Sequence, residues 1–585
     1  MIETIINSFE VWTNAQGIKS RTRVKSVENI SLEGIIKLRE LILQLAVSGK
    51  LVPQNPNDEP ASEVIKKIVN RRKKLIKGGK NYSQKQISVI SKEEEPFQLP
   101  NGWTWARLPE IAEYYTGRTP STKNPEYWSD KENGIPWISI SDMSDCGYIN
   151  DSSKFVSSEA SRKVFSENPV PAGTILMSFK LTIGKISILN IEAYHNEAII
   201  SINPFEEIDK KYLFKILPKR AREGNSKNAL MGNTLNATSL ALLLIPIPPL
   251  SEQKRIISKV DELMALCDKL EDEQFKNLKT HQVLVKTLLE TLTQATDANE
   301  LQEAWERMSA HFDTLFCTED SIEQLKQTIL RLAVMGKLVK QDPSNEPASK
   351  LLEKAATEKE KLLLEGKIKK QPFFQEIAKQ EMLFDLPIGW AWARLQEITT
   401  LITDGKHGDC QNQQNSGYYF LSAKDIIEGK LNYEFAREIN CEEFLETHRR
   451  TDLSPGDICM VNTGATVGKL AIASDNPKTQ RTTFQKSVAV IKPLKGYLFN
   501  EYLKVFLISE TKKMFIKSGG SAINNLLLGD LKKKAIPIPP LLEQQKIVKK
   551  VDELFILCDD LIEKIQKSQN IKVLLSKTIV EKAVS

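Results

Sequence analysis

The feature that most constrains this 585-residue chain is an internal duplication. Leu38–Ser62 returns as Leu325–Ser349 with 16 of 25 residues identical, and Leu99–Ile111 returns as Leu386–Ile398 with 10 of 13 identical. Both matches lie at an offset of 287 residues. Because repeated sequence at a fixed spacing is the signature of repeated structure, the chain is predicted to contain two copies of one structural unit, related by pseudo-twofold symmetry.

A third repeated block predicts a long helix. Ile245–Glu271 returns as Ile536–Ile562 with 18 of 27 residues identical, and its apolar residues recur at steps of four and three, the spacing of a coiled coil. The candidate coiled-coil or subunit-interface residues are Ile256, Val260, Leu263 and Leu270 in the first copy and Ile547, Val551, Leu554 and Leu561 in the second. The preceding IPIPP is expected to end any strand and to start the helix, because proline has no amide hydrogen and suits a first helical turn.

The first repeated block predicts a shorter helix in each copy. Its apolar stripe is Leu38, Ile42 and Leu45, which becomes Leu325, Ile329 and Leu332 in the second copy. Gly49 and Gly336 stand where a residue in the left-handed conformation would end that helix. Antiparallel pairs of these helices would hold the intervening segments apart. The alternative left open is that the long helix is a core helix of an ordinary domain.

The segments between the second and third blocks have diverged, and each is predicted to be a mixed α/β domain. Short runs with β-branched residues, bounded by Gly, Pro, Asn or Asp, predict strands at Ile138–Ser141, Thr174–Ser178, Ile186–Asn190 and Ala198–Ile202. The Trp-x-Trp motifs that begin at Trp103 and Trp390 occur in both copies and are predicted to be core. The expected fold class is therefore two α/β (α+β) domains separated by long antiparallel coiled-coil-like helices.

Composition limits the class of protein without identifying its function. The chain is 41% hydrophobic and 27% charged with a net charge of +6, which permits a nucleic-acid partner but does not require one. No apolar run approaches the roughly 18 residues of a membrane helix, and the N-terminal sequence has no secretion-signal layout. The seven cysteines include no CxxC pair, so neither a disulfide framework nor a zinc site is predicted, and a cytoplasmic location is expected.

The sequence contains no catalytic motif that we recognise. It has no GxGxxG or GxxxxGK[ST] phosphate loop, no HExxH or GxSxG motif, and no [DNS]PP[YFW] adenine-methyltransferase loop. Asp425, Glu428 and Lys430 superficially resemble a nuclease D…ExK set, but only the aspartate recurs in the first copy, as Asp142. That aspartate is predicted to be a turn residue. The chain is expected to be non-catalytic and to hold no metal or cofactor itself.

The divergent segments instead predict a binding surface for double-stranded DNA. The loops Thr116–Trp128 and Thr403–Asn415 each follow a strand and are rich in small, amide and basic side chains, which contact phosphates and base edges. The candidate DNA-binding residues are Arg118, Thr119, Lys123, Lys180, Lys185, Lys406, His407, Lys469, Arg481, Lys517 and Asn524. For each of them an ordinary surface position is the alternative.

A basic run lies between Lys66 and Lys85. Its second copy has Glu358 and Glu360 in place of Arg71 and Lys73. Two copies that both gripped phosphate through this run would not tolerate that charge reversal. A solvated helix face or a contact with a partner protein is therefore favoured.

Three motifs that each occur twice carry a resemblance to a known family. LQLAVSGKLVPQ, LPxGWxWxRLxEI and IPIPPLxEQ followed by KVDELxxLCDxL, arranged around variable segments, resemble the specificity subunit of type I restriction–modification systems. The resemblance covers essentially the whole chain. It implies two target-recognition domains, at residues 99–245 and 386–535, that each read one half of a split DNA site. It also implies repeated helical regions at residues 1–98, 246–385 and 536–585 that set the gap between the half-sites.

The resemblance further implies the partners of the chain. Two methyltransferase subunits would dock on the repeated helices, and restriction subunits would attach through them. Such a complex methylates adenine N6 with S-adenosylmethionine and cleaves unmodified DNA with ATP and Mg²⁺, and those cofactors would bind the partner subunits. Two alternatives stay open: a specificity module with its own nuclease or methyltransferase activity, and a coiled-coil assembly protein with no DNA role.

Overall fold

The computed structural model describes residues 9–18, 30–77, 90–165, 168–223, 237–517 and 526–584. The chain forms two compact units, one made of Met1–Asn277 with Ser568–Ser585 and the other of Leu278–Lys567. Each unit contains one mixed α/β domain, and a long helix runs between the two domains. The predicted fold class is therefore confirmed. The five-part division of the chain is finer than this pair of units and stays a prediction.

The first unit contains the described strands of the first copy and the helices around them. Its helices are α1 (Phe9–Asn14), α2 (Glu33–Val47), α3 (Ala61–Lys77), α4 (Leu108–Ile111), α5 (Ser158–Lys163), α6 (Lys210–Glu223), α7 (Ala237–Ala241) and the first part of α8 (Leu250–Gln294). Its strands are β1 (Gly17–Ile18), β2 (Ile30–Ser31), β3 (Thr104–Arg107), β4 (Ala112–Thr116), β5 (Trp128–Ser129), β6 (Ile135–Ile138), β7 (Gly147–Ile149), β8 (Phe155–Val156), β9 (Ile175–Ser178), β10 (Ile186–Leu189), β11 (Tyr194–His195), β12 (Ile199–Pro204) and β13 (Leu244–Ile247).

The second unit has a similar order of elements, with fewer strands. Its helices are the rest of α8, α9 (Ala298–Ser309), α10 (Phe312–Leu315), α11 (Glu319–Val334), α12 (Ala348–Leu364), α13 (Cys441–Thr451), α14 (Asn500–Lys517), α15 (Leu528–Lys533) and the first part of α16 (Leu541–Val584). Its strands are β14 (Ala391–Arg394), β15 (Thr399–Asp404), β16 (Tyr419–Leu421), β17 (Ile426–Ile427), β18 (Lys430–Leu431), β19 (Arg437–Glu438), β20 (Ile458–Val461), β21 (Leu470–Ile472), β22 (Thr482–Phe484), β23 (Val488–Pro493) and β24 (Ala535–Ile538).

The sheets keep a common topology although their sequences have drifted. The main sheet has the order β4-β12-β9-β10-β7 in the first unit and β15-β23-β20-β21 in the second. β12 pairs antiparallel with β4 and β9, as β23 does with β15 and β20. A second, smaller sheet contains a parallel pair in each unit, β11 with β6 and β22 with β16. The divergent segments are therefore two versions of one domain.

The helix in each copy of the first repeated block stops at a glycine, as predicted. Gly49 and Gly336 have φ angles of 70° and 71°. In each case the next residue donates its amide to a carbonyl five residues earlier, at 2.9 Å, which is the hydrogen bond of a Schellman motif. A Cβ at either glycine would lie 2.4 Å from a proline side-chain carbon, Cγ of Pro100 or of Pro387. Both backbone conformation and space therefore require glycine.

A two-stranded ribbon joins the two ends of each divergent segment. β3 pairs antiparallel with β13, and β14 pairs with β24. The expectation that IPIPP ends any strand was wrong for its first three residues, because Ile245, Pro246 and Ile247 lie inside β13. A two-stranded ribbon leaves one side of each strand unpaired, so a residue without an amide hydrogen is tolerated there. The helix does start directly after the last proline, Pro249, as expected.

One predicted strand is displaced. The run Ile138–Ser141 was expected to be extended, but β6 covers Ile135–Ile138 and the chain turns at Ser139. The turn forms because the carboxylate of Asp142 accepts hydrogen bonds from the amide of Ser139 at 2.8 Å and from its hydroxyl at 2.5 Å. Local side-chain bonds of this kind compete with strand pairing.

One hydrophobic core in each unit unites the repeated helices with the sheet. In the first unit, residues of α2, α6 and α8 share a cluster with residues of β9 and β12. The second unit has the equivalent cluster from α11, α14, α16, β20 and β23. Trp103, Trp105 and Trp390 are buried, as predicted for core residues, whereas Trp392 is only partly buried. The sheet in each unit is therefore packed directly on the repeated helices.

Buried polar side chains repeat with the frame. The hydroxyls of Tyr212 and Tyr502 each donate to a proline carbonyl of the neighbouring ribbon at 2.8 Å, and burial raises the pKa of both. The side-chain amides of Gln253 and Gln544 each bridge an amide at the start of a helix, at 2.8 Å, and a proline carbonyl, at 3.0 and 3.1 Å. Polar groups buried this deeply must be paired, which explains why both copies use the same residues.

Each of the two long helices has residues in both units. α8 has 45 residues and α16 has 44, about 66 Å each at 1.5 Å per residue. α8 begins in the first unit and ends in the second, whereas α16 begins in the second and ends in the first. No helix among the residues that the structure describes is long and apolar enough to span a membrane.

Candidate nucleic-acid interface

The predicted DNA-binding segments of the first unit leave the sheet at one edge. Thr116, at the end of β4, lies opposite Ile200, and Ser178, at the end of β9, lies opposite Ile199. The loop after β4 and the turn between β9 and β10 therefore emerge side by side. We call this edge, with its loop and turn, reading edge 1.

Reading edge 2 is the corresponding edge of the second unit. Asp404, at the end of β15, lies opposite Ala489, and Val461, at the end of β20, lies opposite Val488. The loop after β15 and the turn between β20 and β21 leave the sheet there. The candidate residues Lys406, His407 and Lys469 thus share one edge.

A glycine opens the loop at both reading edges. A Cβ at Gly117 would lie 1.9 Å from the carbonyl oxygen of His195, and one at Gly405 would lie 2.0 Å from that of Phe484. The following residue donates its amide to the same carbonyl, at 2.9 Å in the first unit and 2.8 Å in the second. Each loop is therefore fixed at its origin. The sequence analysis did not predict this anchor. The glycine that both loops share could have indicated it.

The loop of reading edge 1 presents basic and hydroxyl side chains. The guanidinium of the exposed Arg118 donates to the carbonyl of Val164 at 2.8 Å. The hydroxyl of Thr119 donates to the carboxylate of Glu197. Lys123 is exposed further along the loop. Arg118 has donors beyond the one that it uses, so it is both held in place and available to a ligand.

The loop of reading edge 2 is held by acidic side chains. The ammonium of Lys406 lies 3.3 Å from the carboxylate of Glu446 and 3.6 Å from that of Glu443. The imidazole of His407 lies 3.0 Å from the carboxylate of Asp404. Lys406 would therefore have to exchange its carboxylate partners for phosphate, whereas Arg118 would not.

Two of the candidate lysines occupy matching positions, and each donates to a backbone carbonyl. The ammonium of Lys185 donates to the carbonyl of Ile140 at 2.9 Å, and that of Lys469 donates to the carbonyl of Ile426 at 3.4 Å. Lys180 lies on the same turn as Lys185 and is partly exposed. The shared contact gives the lysine pair a role in fixing the turn. Their contact with DNA stays a prediction.

The remaining DNA-binding candidates are not brought to the origin of these loops. Arg481 directly precedes β22, whereas Phe484, which anchors the loop, is the last residue of that strand. Arg481 is exposed. The side chain of Lys517 and the whole of Asn524 lie outside the described residues, so both stay predictions.

The eight candidate coiled-coil residues pack within the chain. Buried members are Ile256, Val260, Ile547 and Val551. Partly buried members are Leu263, Leu270, Leu554 and Leu561, which contact the core of their own unit. Their contact with another subunit therefore stays a prediction.

The shared aspartate is a turn residue, as predicted. Asp425 accepts hydrogen bonds from the amide of Ser422 at 2.8 Å and from its hydroxyl at 2.9 Å, as Asp142 does from Ser139. Glu428 lies at a φ of 48° in the turn between β17 and β18. Within the described part of the chain, no group of three or more His, Cys, Asp and Glu side chains is placed to hold a metal ion.

The basic run contributes an ion pair inside the first unit. The guanidinium of Arg71 on α3 lies 2.6 Å from the carboxylate of Glu206 and 3.5 Å from that of Glu207, and the hydrogen bond to Glu206 raises the pKa of Arg71. Lys80 and Lys85 lie outside the described residues. Arg71 thus connects α3 to the end of β12, a role that the sequence did not suggest.

The second unit has a cleft at the matching place. Its volume is about 1270 Å³, and it runs beside β15. Glu358, which replaces Arg71, lines it together with Lys495, which follows β23 where Glu206 follows β12. Its other cationic lining residues include Lys367, Lys369, Lys370, Arg449 and Lys532. The charges at this junction are therefore reversed between the units.

Comparison with known proteins gives consistent matches. The family model for the type I restriction modification DNA specificity domain matches residues 100–280 and 387–572. The specificity subunit of the type I restriction enzyme EcoAI from Escherichia coli is 36% identical over 602 residues, which cover 99% of each chain. That of EcoEI, also from Escherichia coli, is 32% identical over 617 residues, again 99% of each.

Solved structures are more distant in sequence. The HsdS subunit from Thermoanaerobacter tengcongensis is 18% identical, with matched segments that cover 84% of this chain and 98% of its own, and a TM-score of 0.35. A type I restriction–modification structure concerned with complex assembly and conformational transition is also 18% identical, with 84% and 99% covered and a TM-score of 0.45.

Proposed function

This chain belongs to the family of type I restriction–modification DNA specificity subunits, and on that premise we propose that each unit reads one half of a split DNA target. The observation that carries the proposal is the contrast between the shared frame and the two reading edges. Both loops start at a glycine fixed on a neighbouring carbonyl, but Arg118 and Thr119 stand in one where Lys406 and His407 stand in the other. One frame therefore presents two different sets of donors.

The side chains at the reading edges suit two tasks. Lysines such as Lys123 and Lys180 neutralise phosphates, which positions a protein on DNA without reading sequence. Arginine, histidine and threonine can donate to base edges in the major groove, where each base pair has its own pattern of acceptors. We assign Arg118 and Thr119 to the first half-site, and His407 to the second.

The repeated helices support docking of two identical partners. Large apolar side chains are exposed at equivalent positions of α8 and α16. The exposed fractions are 50% and 60% for Leu266 and Leu557, 64% and 63% for Val283 and Leu574, and 49% and 44% for Leu284 and Leu575. Exposed apolar positions that recur in both copies are typical of a protein interface rather than of scattered surface residues, and a duplicated surface suits two copies of one subunit.

We assign those two positions to methyltransferase subunits, with restriction subunits attached through them. The specificity chain itself would be non-catalytic. S-adenosylmethionine, ATP and Mg²⁺ would bind the partners, and the target adenine would be flipped into a partner's pocket. A purified chain that methylates or cuts DNA without partners would contradict this assignment, and a chain with no sequence preference in DNA binding would favour a purely structural assembly role.

An exchange of one divergent segment tests the proposal. Residues 99–245 are replaced by the corresponding segment of a related specificity subunit, and methylated adenines are mapped genome-wide in cells that also make the partner subunits. We expect the first half-site to change completely while the second half-site and the gap stay the same. The matched control exchanges residues 386–535 and is expected to change only the second half-site. A change in both half-sites, or in neither, would contradict independent reading.

An insertion tests whether α8 and α16 set the gap. One heptad is inserted between Leu270 and Val285 of α8 and a second at the equivalent place in α16, Leu561–Ser576. Seven helical residues add about 10 Å, which is about three base pairs of B-DNA at 3.4 Å per step. We expect the methylated target to keep both half-sites and to gain about three base pairs between them. An unchanged gap would show that other elements set it.

A further inference from the structure

A leucine at reading edge 1 is both strained and exposed. Leu181 lies in the turn between β9 and β10 with a φ of 63°, and its side chain is 81% exposed. A residue with a Cβ in the left-handed conformation carries a steric cost, and a leucine that is exposed to this extent gains little from burial in return. The fold of the first unit therefore does not explain a leucine at this position.

The second unit shows that the turn does not need this side chain. At reading edge 2 the turn between β20 and β21 is one residue longer and has Gly464, at a φ of 103°, in its left-handed position. Glycine adopts that conformation without the steric cost. The turns end alike, at Gly184 and Gly468, each followed by a lysine. The leucine is thus a feature of the first unit alone.

The turn holds Leu181 outward. The amide of Thr182 donates to the carbonyl of Lys180 at 2.8 Å, and the amide of Gly184 donates to the carbonyl of Ser178 at 2.9 Å. The hydroxyl of Ser178 donates to the carbonyl of Thr182. These contacts leave the leucine side chain at the tip, flanked by Lys180.

The tip lies beside the loop that carries Arg118. The amide of Phe179 donates to the carbonyl of Ala198 at 3.0 Å, and the amide of Gly117 donates to the carbonyl of Ile199 at 3.2 Å. Turn and loop therefore bond to adjacent residues at the start of β12. Exposed cations and one exposed apolar side chain occur together at this edge.

We propose that Leu181 contacts a base in the half-site read by the first unit and determines specificity there. The inference rests on the proposed function and extends it to a residue with no hydrogen-bonding group. The major groove offers one apolar group, the 5-methyl of thymine, and apolar side chains recognise it by contact. Strain held at a ligand-facing position is consistent with such a role.

The test compares Leu181→Gly with the wild-type chain in the complex with its methyltransferase partners. Glycine relieves the strain, so the midpoint of thermal unfolding is expected to stay the same or rise. Binding to a duplex with the wild-type target is expected to weaken about tenfold, the effect of losing recognition at one base pair. Methylation mapping is expected to show a relaxed preference at one or two positions of the first half-site and none in the second.

Glu428→Gly is the matched control, since it relieves a left-handed conformation in a turn of the second unit. It is expected to leave the first half-site unchanged. If Leu181→Gly stabilises the chain and leaves the methylated sequence unchanged, Leu181 does not read DNA. Equal weakening on every duplex would also overturn the inference, because it would indicate contact with phosphate or structure. If the wild-type complex methylates no bipartite target, the proposed function itself fails and the inference falls with it.

Discussion

The two units fasten their sheets to the frame with the same side chains but complete their reading edges with different ones. Tyr212 and Tyr502 make equivalent hydrogen bonds of equal length, and Gly49 and Gly336 end their helices with φ angles that differ by one degree. At the reading edges, in contrast, Arg118 donates to a carbonyl where the lysine in its place meets two carboxylates. Positions whose partners lie inside the frame were kept, and positions that face outward were free to change.

The junction between α3 and the sheet adds a third kind of position. Arg71 faces Glu206 in the first unit, while Glu358 and Lys495 stand at the matching places in the second. The signs at these two places are reversed, but Glu358 lies 3.9 Å from Lys361 of its own helix and forms no ion pair with Lys495. The first unit therefore closes this junction with an ion pair, whereas the second unit has a cleft there.

The largest expected effect concerns the frame, where the units should respond alike. Gly49→Ala and Gly336→Ala are each expected to cost about 3 kcal/mol, because a Cβ meets both a left-handed backbone and a proline ring carbon at 2.4 Å. Hydrogen exchange read separately on peptides of each unit gives the two losses. Unequal losses, beyond about 1 kcal/mol, would show that the frames are not equivalent.

Gly366→Ala separates the two causes in that experiment. Gly366 follows α12 with a φ of 69° and has no atom within 4 Å of an added Cβ, so it carries the backbone cost alone. The expected loss is about 1 kcal/mol. A loss as large as that at Gly336 would mean that contact with the proline ring is irrelevant.

The parts of the fold that were predictable from sequence are those that local rules determine. The glycine stops, the shared turn aspartate and the start of the long helices follow from residues a few positions apart. The strand at Ile245–Ile247 was missed because its pairing partner lies about 140 residues earlier in the chain, where local rules disfavour proline in a strand.

The candidate site was predictable to a smaller extent. Arg118 and Lys406 follow from loop composition after a strand, and both lie at the reading edges. Composition cannot show that Lys185 and Lys469 each donate a hydrogen bond to a backbone carbonyl. It also cannot show that Leu181 adopts a left-handed conformation. Both features depend on contacts across the sheet.

A smaller effect, a loss of stability in acid, is expected at the residue whose carbonyl anchors the loop of the first unit. This carbonyl belongs to His195, and its counterpart in the second unit belongs to Phe484. Burial lowers the pKa of His195 from 6.5 to about 4, so the folded unit favours the neutral imidazole. The contribution of the neutral His195 to the stability of the first unit is therefore complete above pH 6.5 and is lost as pH falls toward 4. At pH 5 the loss is about 2 kcal/mol.

His195→Phe gives the first unit the residue of the second and should abolish that loss. Hydrogen exchange at pH 7 and pH 5 measures it, with peptides of the second unit as the internal reference. The readout is the difference between the two pH values, so a uniform change in stability from an imperfect fit of phenylalanine does not affect it. An equal acid response in the variant would place the titrating group elsewhere.

The smallest expected effect tests the ion pair between Arg71 and Glu206. Arg71→Glu puts three carboxylates together at the junction with Glu206 and Glu207, and we expect slightly faster hydrogen exchange in α3. Adding Glu206→Lys restores an opposite-charge pair at this place and should recover most of the change. Because exposed ion pairs contribute little and are screened by salt, both effects should shrink as ionic strength rises. If the effects of Arg71→Glu and Glu206→Lys are additive, or if salt has no influence, charge does not hold this junction.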